Sequence, residues 1–259
     1  MRLYLRYLAI LLVSLLYFTL PVSSQEYQGI TGLLLIPNAD TDSAGTFRGM
    51  AMYLDKQSNP LKCNGEPYPT FCYGVALTPW EWVEVSFIMT LAKEPKYGNY
   101  GPIGYYNQDR HFNIKLRPLK EGRWWPAIAI GWDDIGNFHI GKSITTNNNF
   151  ENIYAVITKH LEVRGHKIGA NIGYRYFPSK KDVWRRGVVA GITYTPWLGD
   201  KLRGQRAWLQ RPRLIVEWDG NGINFGADVL LWRHLFVQAC LVHGSGFTGG
   251  LSYHYTIPF

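Results

Sequence analysis

The feature that most constrains this chain is an alternation of apolar and polar side chains with a period of two residues. It recurs in runs of about ten residues, each followed by Gly, Pro, Asn or Asp. In the clearest run, 223–232, one face carries Ile223, Phe225, Ala227, Val229 and Leu231, and the other carries Asn224, Gly226 and Asp228. Because successive side chains of a β-strand point to opposite faces, the pattern predicts an all-β fold.

The length of the runs and the placement of the aromatic residues favour a membrane barrel. The runs fit the roughly 9–11 residues of a tilted transmembrane strand better than the about five or six of a globular strand. Aromatic residues make up 15% of the chain and gather at run ends, where their rings would reach the lipid headgroups. They are Trp80, Trp82, Trp124, Trp125, Tyr174, Tyr176, Tyr194, Trp197 and Trp232. A secreted β-sandwich is the alternative, because alternation alone does not distinguish a lipid-facing surface from a buried core.

The predicted architecture is an antiparallel transmembrane β-barrel of about twelve strands, an even number as single-chain bacterial barrels have. The strands are predicted at 46–54, 68–78, 82–91, 108–117, 124–133, 151–161, 165–176, 187–196, 212–219, 222–232, 234–242 and 246–257. Long connections at 55–67, 92–107, 134–150 and 177–186 alternate with short ones at 79–81, 118–123 and 162–164. The connection 197–211 is an exception, because it is long on the side where the others are short.

The C-terminal stretch L-S-Y-H-Y-T-I-P-F continues the alternation to the last residue. Tyr253, Tyr255, Ile257 and Phe259 fall on one face of this strand. We expect the strand to pair with the first one, because an unpaired edge in lipid leaves backbone groups unsatisfied. The same residues are predicted to form the C-terminal signal that the barrel-assembly machinery recognises.

The chain is predicted to contain three segments. Residues 1–24 carry Arg2 and Arg6 before an apolar run, which predicts a cleaved secretory signal peptide. A membrane anchor is the alternative, although the run is shorter than the roughly 20 residues that a span needs. Residues 25–45 could plug the lumen, pair as an extra strand or contact a periplasmic partner, and residues 46–259 are predicted to form the barrel.

The charge of the chain indicates which partners to expect. The formal net charge is +8 at pH 7. In an exported protein this modest excess favours anionic glycans or lipopolysaccharide phosphates over nucleic acid, unless the basic surface is only solvated. Lys180, Lys181 and Arg185 lie in a predicted outer loop, where either role is open. We expect a monomer that contacts outer-membrane lipid, lipopolysaccharide and the barrel-assembly machinery, and that binds no nucleic acid.

The cysteines are too few and too scattered for a zinc site, and no metal or cofactor is expected. Cys63 and Cys72 flank the stretch N-G-E-P-Y-P and could form a disulfide in an oxidising compartment. Cys240 lies in an apolar strand and is predicted to be a buried free thiol.

Polar side chains within the predicted strands should line the lumen, because charges that face lipid are costly. The predicted lumen-lining residues are Lys167, Asn171, Arg175, Glu217, Asp219 and Asp228. They could form a charged constriction that binds or filters a sugar polymer, or a structural ion-pair network that fills a narrow barrel. Asp133 and Asp134 could bind a cation or a sugar hydroxyl at a strand end, although an ordinary turn uses the same residues.

The sequence H-G-S-G at 243–246 raises one enzymatic alternative. His243 and Ser245 share a strand face, as in membrane-embedded lipases with a His-x-Ser arrangement. Those lipases follow the serine with Asn-Gly, whereas Gly246 and Phe247 follow it here, and the glycines also suit a tight hairpin. No catalytic residue is therefore predicted, and the protein is not expected to be an enzyme.

Three stretches resemble the YjbH-like family of outer-membrane proteins, which is associated with exopolysaccharide production. They are G-I-T-G-L-L-L-I-P-N-A-D-T-D-S-A-G-T-F at 29–47, G-W-D-D-I-G at 131–136 followed by Y-A-V-I-T-K at 154–159, and L-I-V-E-W-D-G at 214–220. The resemblance implies a short, single-unit member that resides in the outer membrane and takes part in polysaccharide assembly or export. It supplies no catalytic residues.

The predicted function combines the fold with this resemblance. We expect a non-enzymatic outer-membrane barrel that assists exopolysaccharide or surface-polysaccharide biogenesis or export through its lumen or its periplasmic face. A polysaccharide or a periplasmic export component would be its partner. A general diffusion porin is the alternative, and a membrane-embedded lipid hydrolase is a more distant one.

Overall fold

A computed structural model describes residues 24–98, 100–135, 149–178, 186–197 and 208–257. Every regular element within these ranges is a β-strand, and none of the described residues forms a helix that is long and apolar enough to cross a membrane. The predicted signal peptide apart from Ser24, the basic residues Lys180, Lys181 and Arg185, and the terminal Phe259 all lie outside the described residues.

Twelve strands close into one antiparallel barrel, which confirms the predicted fold class. They are β1 (Thr46–Leu54), β4 (Thr70–Trp80), β5 (Val83–Tyr97), β6 (Tyr100–Leu119), β7 (Ala127–Asp133), β8 (Asn152–Val163), β9 (His166–Tyr176), β10 (Gly187–Thr195), β11 (Leu209–Trp218), β12 (Ile223–Leu231), β13 (Leu235–Val242) and β14 (Gly246–Thr256). The short strands β2 (Lys62–Cys63) and β3 (Glu66–Pro67) pair with each other in a separate hairpin. Each barrel strand pairs with its neighbour in sequence, and β1 and β14 close the sheet.

The closing pair joins β1 and β14 in an antiparallel register from Thr46↔Thr256 to Tyr53↔Gly249. The hydroxyl groups of Thr46 and Thr256 are 2.8 Å apart at the beginning of this pairing. Closure leaves no strand edge in the hydrocarbon, where an unpaired backbone group costs several kcal/mol. The recognition of β14 by the assembly machinery stays a prediction.

The outer surface of the barrel is a belt of apolar side chains. Ile172 on β9 and Ile192 on β10 are 55% and 59% exposed, whereas their inward-facing neighbours Asn171 and Thr193 are buried. A belt of this kind around a closed sheet is the lipid-facing surface of a transmembrane barrel. The alternation in the sequence therefore distinguishes side chains that face lipid from side chains that face the lumen.

Tryptophan side chains collect at one end of the barrel. This is the terminal end, where β1 begins and β14 ends; the opposite end is called the distal end. The exposed tryptophans at the terminal end are Trp80, Trp82, Trp124, Trp125, Trp197, Trp208 and Trp232. Indole rings favour the headgroup level of a bilayer, so this ring marks one membrane interface.

The predicted loop 92–107 is wrong, because β5 and β6 continue through it as a long hairpin. Their pairing runs out to Tyr97↔Tyr100, and Gly98 makes the turn with a φ of 74°. Pro95 is a residue typical of loops, but here it lies beside a register shift and beyond the start of β4, where β5 is an edge strand and tolerates proline.

The disulfide that Cys63 and Cys72 could form is absent from the structure, where Cys63, Cys72 and Cys240 are free thiols. Cys72 points into the barrel, and its Sγ lies 3.7 Å from the carbonyl oxygen of Tyr27. Cys63 lies half-buried on β2, in the connection beyond the end of β1. The inward direction of the Cys72 side chain explains why the two sulfurs do not pair.

The lipid-facing surface predicts a depth-dependent cost for a buried charge. Ile172→Lys places an ammonium group near the middle of β9 and should lower the free energy of unfolding by about 2–4 kcal/mol in phospholipid vesicles. The matched control Ile168→Lys lies near the terminal end of the same strand and should cost about 0–1 kcal/mol. Denaturant unfolding of both variants in vesicles measures the difference. Equal losses would contradict the assignment of this face to lipid.

Candidate functional site

The lumen is occupied by the segment that precedes β1. This segment, residues 25–45, is called the plug segment. Its apolar residues Ile30, Leu33, Leu34, Leu35 and Ile36 are at most 2% exposed. It forms isolated β-bridges only with itself, Gln25↔Thr31 and Gly32↔Pro37, and does not join the barrel sheet. Of the three arrangements that the sequence left open, the structure has the plug.

Glu217 on β11 holds the centre of the plug segment. Its carboxylate accepts hydrogen bonds from the backbone N–H groups of Leu34 and Leu35, at 3.0 and 2.9 Å. The side-chain amide of Asn224 on β12 donates a further hydrogen bond to it, at 3.1 Å. One buried wall carboxylate thus satisfies two backbone donors that would otherwise lack a partner in the lumen.

Glu84 on β5 holds the plug segment at two places, Thr31 and Asp42, from the other side of the barrel. It accepts hydrogen bonds from the N–H groups of Thr31 and Asp42, at 2.9 and 3.0 Å. It also forms ion pairs with Lys115 at 2.9 Å and with Arg48 at 3.5 Å. Arg48 also pairs with Asp42 of the plug segment at 3.3 Å, so two buried carboxylates compensate two buried cations.

Arg175 and Asn171 on β9 contact the plug segment between these two wall carboxylates. The Arg175 guanidinium pairs with Glu26 at 3.0 Å and donates a hydrogen bond to the Leu35 carbonyl oxygen at 2.7 Å. The Asn171 amide donates to the Pro37 carbonyl oxygen at 3.0 Å. Wall residues thus bind the plug segment along most of its length.

The wall also makes room for the plug segment at two glycines. A Cβ atom at Gly191 on β10 would collide with the side chain of Leu33, and one at Gly226 on β12 would collide with the side chain of Leu34. Glycine within a strand often marks a place where another part of the chain approaches closely. The plug segment and the wall are therefore complementary in shape as well as in hydrogen bonding.

The comparison with protein families covers the plug segment and the barrel together. Residues 24–257 match the family model YjbH, which is described as exopolysaccharide biosynthesis protein YbjH. The chain belongs to the YjbH family. This match confirms the resemblance predicted from the three short stretches. The matched range includes both the plug segment and the barrel strands.

No curated protein matches this YjbH-family chain. Among solved structures it is similar to an outer membrane channel from Pseudomonas putida F1, with 10% sequence identity and a TM-score of 0.36, over 86% of this chain and 100% of that one.

The structure brings only some of the sequence-predicted lumen residues to the plug segment. Asn171, Arg175 and Glu217 contact it directly. Asp228 is buried inside the barrel but forms its ion pair with Arg213 of the neighbouring strand, at 2.6 Å. Lys167 lies near the terminal end of β9 and is exposed.

Asp219 lies just beyond the end of β11 and organises a turn at the distal end of the YjbH-family barrel. Its Oδ1 accepts hydrogen bonds from the N–H groups of Asn221 and Gly222, both at 2.9 Å. Its Oδ2 is 3.2 Å from Nε2 of His243, which lies in the next distal turn. Asp219 therefore connects two distal turns and does not contact the plug segment through these bonds.

Sequence reasoning missed the charged group around Glu84, although a signal was present. Glu84 alternates with Val83 and Val85, and Lys115 alternates with Ile114 and Leu116. The rule that selected Arg175, a charge among apolar residues of a strand, also selects these two. The site was not predicted because the plug segment and its partners on the barrel wall are far apart in the sequence.

His243 and Ser245 of the H-G-S-G stretch lie in the turn between β13 and β14 and contact different partners. His243 faces Asp219, whereas the Ser245 hydroxyl accepts a hydrogen bond from the side-chain amide of Gln57, at 3.0 Å. A nucleophile and its base need to be within hydrogen-bond reach of each other. The contacts of these two side chains are those of a structured turn.

Asp133 and Asp134 fasten the chain at the distal end of β7. Asp133 accepts a hydrogen bond from the Asn152 amide at 2.8 Å, and Asp134 accepts one from the Phe150 N–H at 3.3 Å. Burial, helped by the negative charge of Asp109, raises the pKa of Asp134 to about 8. Among the described residues, no group of three or more His, Cys, Asp and Glu side chains is arranged to hold a metal ion.

The buried charges around Glu84 predict a large effect of one substitution. Glu84→Gln leaves Lys115 without its carboxylate and Arg48 with Asp42 alone, and should lower the free energy of unfolding by about 3–5 kcal/mol. The matched control is Glu81→Gln, which removes an exposed carboxylate whose pKa is lowered by a hydrogen bond from Lys120. Because that pair is solvated, its loss should cost at most about 1 kcal/mol.

Denaturant unfolding of the two variants in vesicles measures the difference. If the Glu84→Gln protein were as stable as the Glu81→Gln protein, the negative charge of Glu84 would not be needed to compensate the buried cations of the lumen.

Proposed function

We propose that this protein is a plugged outer-membrane β-barrel that assists exopolysaccharide biosynthesis or export without catalysing a reaction. The lipid-facing belt and the tryptophan ring support residence in a membrane, and a barrel exported to the cell envelope belongs in the outer membrane. Membership of a family described by exopolysaccharide biosynthesis supports the process. The terminal end of the barrel then faces the periplasm and the distal end faces outward.

The observation that carries the proposal is the plug segment in the lumen. A diffusion porin keeps a water-filled channel, whereas here the buried residues Leu33–Ile36 fill the space between opposite walls. Glu84 and Glu217 hold the backbone of the segment from opposite sides. A barrel built in this way is closed at rest and can let a polymer pass only after the plug segment moves.

The way in which the plug segment is held suggests how it would be moved. Charge-assisted hydrogen bonds to Glu84 and Glu217 are individually strong because little water competes with them. Thermal motion alone would rarely break several of them together. The plug segment is continuous with β1 at the terminal end, where a periplasmic export component could pull on it. The proposed role is therefore a gated one that couples a periplasmic partner to the lumen.

Conductance measurements separate this role from that of a porin. In a planar lipid bilayer the wild-type protein should show no steady open channel. Glu217→Ala removes the acceptor of the Leu34 and Leu35 N–H groups and should produce frequent openings. Glu217→Gln keeps one acceptor oxygen and should open more rarely than the alanine variant. Steady openings of the wild-type protein would support the porin instead.

A test in cells addresses the process. Deleting the gene should lower the amount of exopolysaccharide at the cell surface several-fold, and wild-type protein should restore it. Ser245→Ala should restore it equally well, because the proposed role needs no nucleophile. Unchanged surface polysaccharide after deletion would contradict the proposed process, and failure of Ser245→Ala alone would revive the hydrolase.

A further inference from the structure

The hairpin at the end of β5 and β6 projects beyond the rest of the barrel. This projecting hairpin comprises residues 93–106. The neighbouring strand β4 begins at Thr70, which the register Cys72↔Thr90 places level with Ala92, and β7 ends at Asp133. The five residues from Lys93 to Tyr97 therefore extend beyond the edge of β4 by about 16 Å, at about 3.3 Å per residue. This end of the barrel is the distal one.

One face of the projecting hairpin is rich in tyrosine. The register pairs Lys93↔Tyr105, Pro95↔Ile103 and Tyr97↔Tyr100, and residues that pair across strands share a face. Tyr97 and Tyr100 are 56% and 73% exposed, and their ring centroids are 6.0 Å apart. These residues form the tyrosine face, defined as Lys93, Pro95, Tyr97, Tyr100, Ile103 and Tyr105.

The chemistry of this face changes along β5. The lower outward positions on the same strand are Phe87, Met89 and Leu91, which suit lipid. Above them the outward positions become lysine, proline and tyrosine. An ammonium group and phenolic hydroxyls are poor neighbours for hydrocarbon, so the tyrosine face lies above the acyl chains in an aqueous layer.

The tyrosine face also carries positive charge close to its rings. The Lys93 Nζ lies 5.0 Å from the ring centroid of Tyr105 and 5.3 Å from that of Tyr68. The Lys96 Nζ lies 5.5 Å from the ring centroid of Tyr97. Aromatic rings and ammonium groups therefore alternate along the hairpin.

Hydrogen bonds hold this surface in place. The Tyr105 hydroxyl donates to the Pro69 carbonyl oxygen at 2.5 Å, and the Lys93 N–H donates to the Tyr68 hydroxyl at 2.9 Å. A surface that is ordered before binding loses less entropy when a ligand arrives. Tyrosine is suited to such a surface, because it offers a large amphipathic contact at a low entropic cost.

We propose that the tyrosine face binds an acidic polysaccharide at the outer end of the barrel. The apolar C–H faces of sugar rings stack on the electron-rich faces of Tyr97 and Tyr100, and carboxylates of the polymer pair with Lys93 and Lys96. The proposal rests on the proposed function, since it names the polymer class that this barrel would meet. The occupant is an exported polysaccharide; the sugars of lipopolysaccharide also reach above the acyl chains, so lipopolysaccharide is the competing ligand that the experiment tests.

Binding to purified full-length protein in detergent tests the proposal, with alginate as the acidic probe and dextran as a neutral one. The wild-type protein should bind alginate more tightly than dextran. The double variant Tyr97→Ala/Tyr100→Ala should bind alginate about tenfold more weakly, because two stacking contacts are lost. The matched control Tyr174→Ala/Tyr176→Ala removes two exposed tyrosines of β9 and should leave alginate binding unchanged.

Two further measurements sharpen the result. Lys93→Gln should weaken alginate binding and reduce its dependence on salt, with no effect on dextran. Purified lipopolysaccharide should bind the wild-type protein and the double variant equally. Equal alginate affinity of the wild type and the double variant, no alginate binding by the wild type, or a loss confined to lipopolysaccharide would each overturn the proposal.

Experiments in cells distinguish a failure of this inference from a failure of the proposed function. If deletion of the gene leaves surface polysaccharide unchanged, the proposed function fails, whatever the purified protein binds. If deletion lowers it and the double variant both restores it fully and binds alginate normally, the function stands and the tyrosine face has no part in it.

Discussion

The structure depends on one constraint, which is that backbone polar groups in hydrocarbon need partners within the protein. A twelve-stranded sheet that pairs β1 with β14 meets it completely. A closed sheet encloses a space, and water or protein has to fill it. In this chain the plug segment fills it, and its own N–H groups meet the same requirement through Glu84 and Glu217. Fold and closed lumen thus follow from one physical cause.

Buried charge explains why the lumen is so specific for its own plug segment. A carboxylate transferred from water into a dry lumen is costly unless cations and N–H donors surround it. Glu84 has Lys115 and Arg48, and Glu26 has Arg175. An unrelated peptide would leave these groups without partners. The polar network therefore selects one occupant, whereas a purely apolar lumen would accept many.

The sequence predicted the barrel well because alternation is a local signal. Each of the twelve barrel strands overlaps one predicted run, and the run ends carry the aromatic residues. The position of the plug segment could not be predicted in this way, since Leu34 and Glu217 are 183 residues apart in the chain. Alternation shows that a face is polar but not whether it meets water or protein. The projecting hairpin was not predicted for a similar reason. Pro95 and Gly98 are residues typical of turns, so the local sequence indicated a loop where β5 and β6 are paired.

Amide hydrogen exchange in lipid nanodiscs tests most directly whether the plug segment occupies the lumen. The N–H groups of Thr31, Leu34, Leu35 and Ala39 donate to side chains of the barrel wall. They should exchange as slowly as those of the central barrel strands. Exchange at the rate of an unstructured peptide, with the strands still protected, would contradict the plugged barrel.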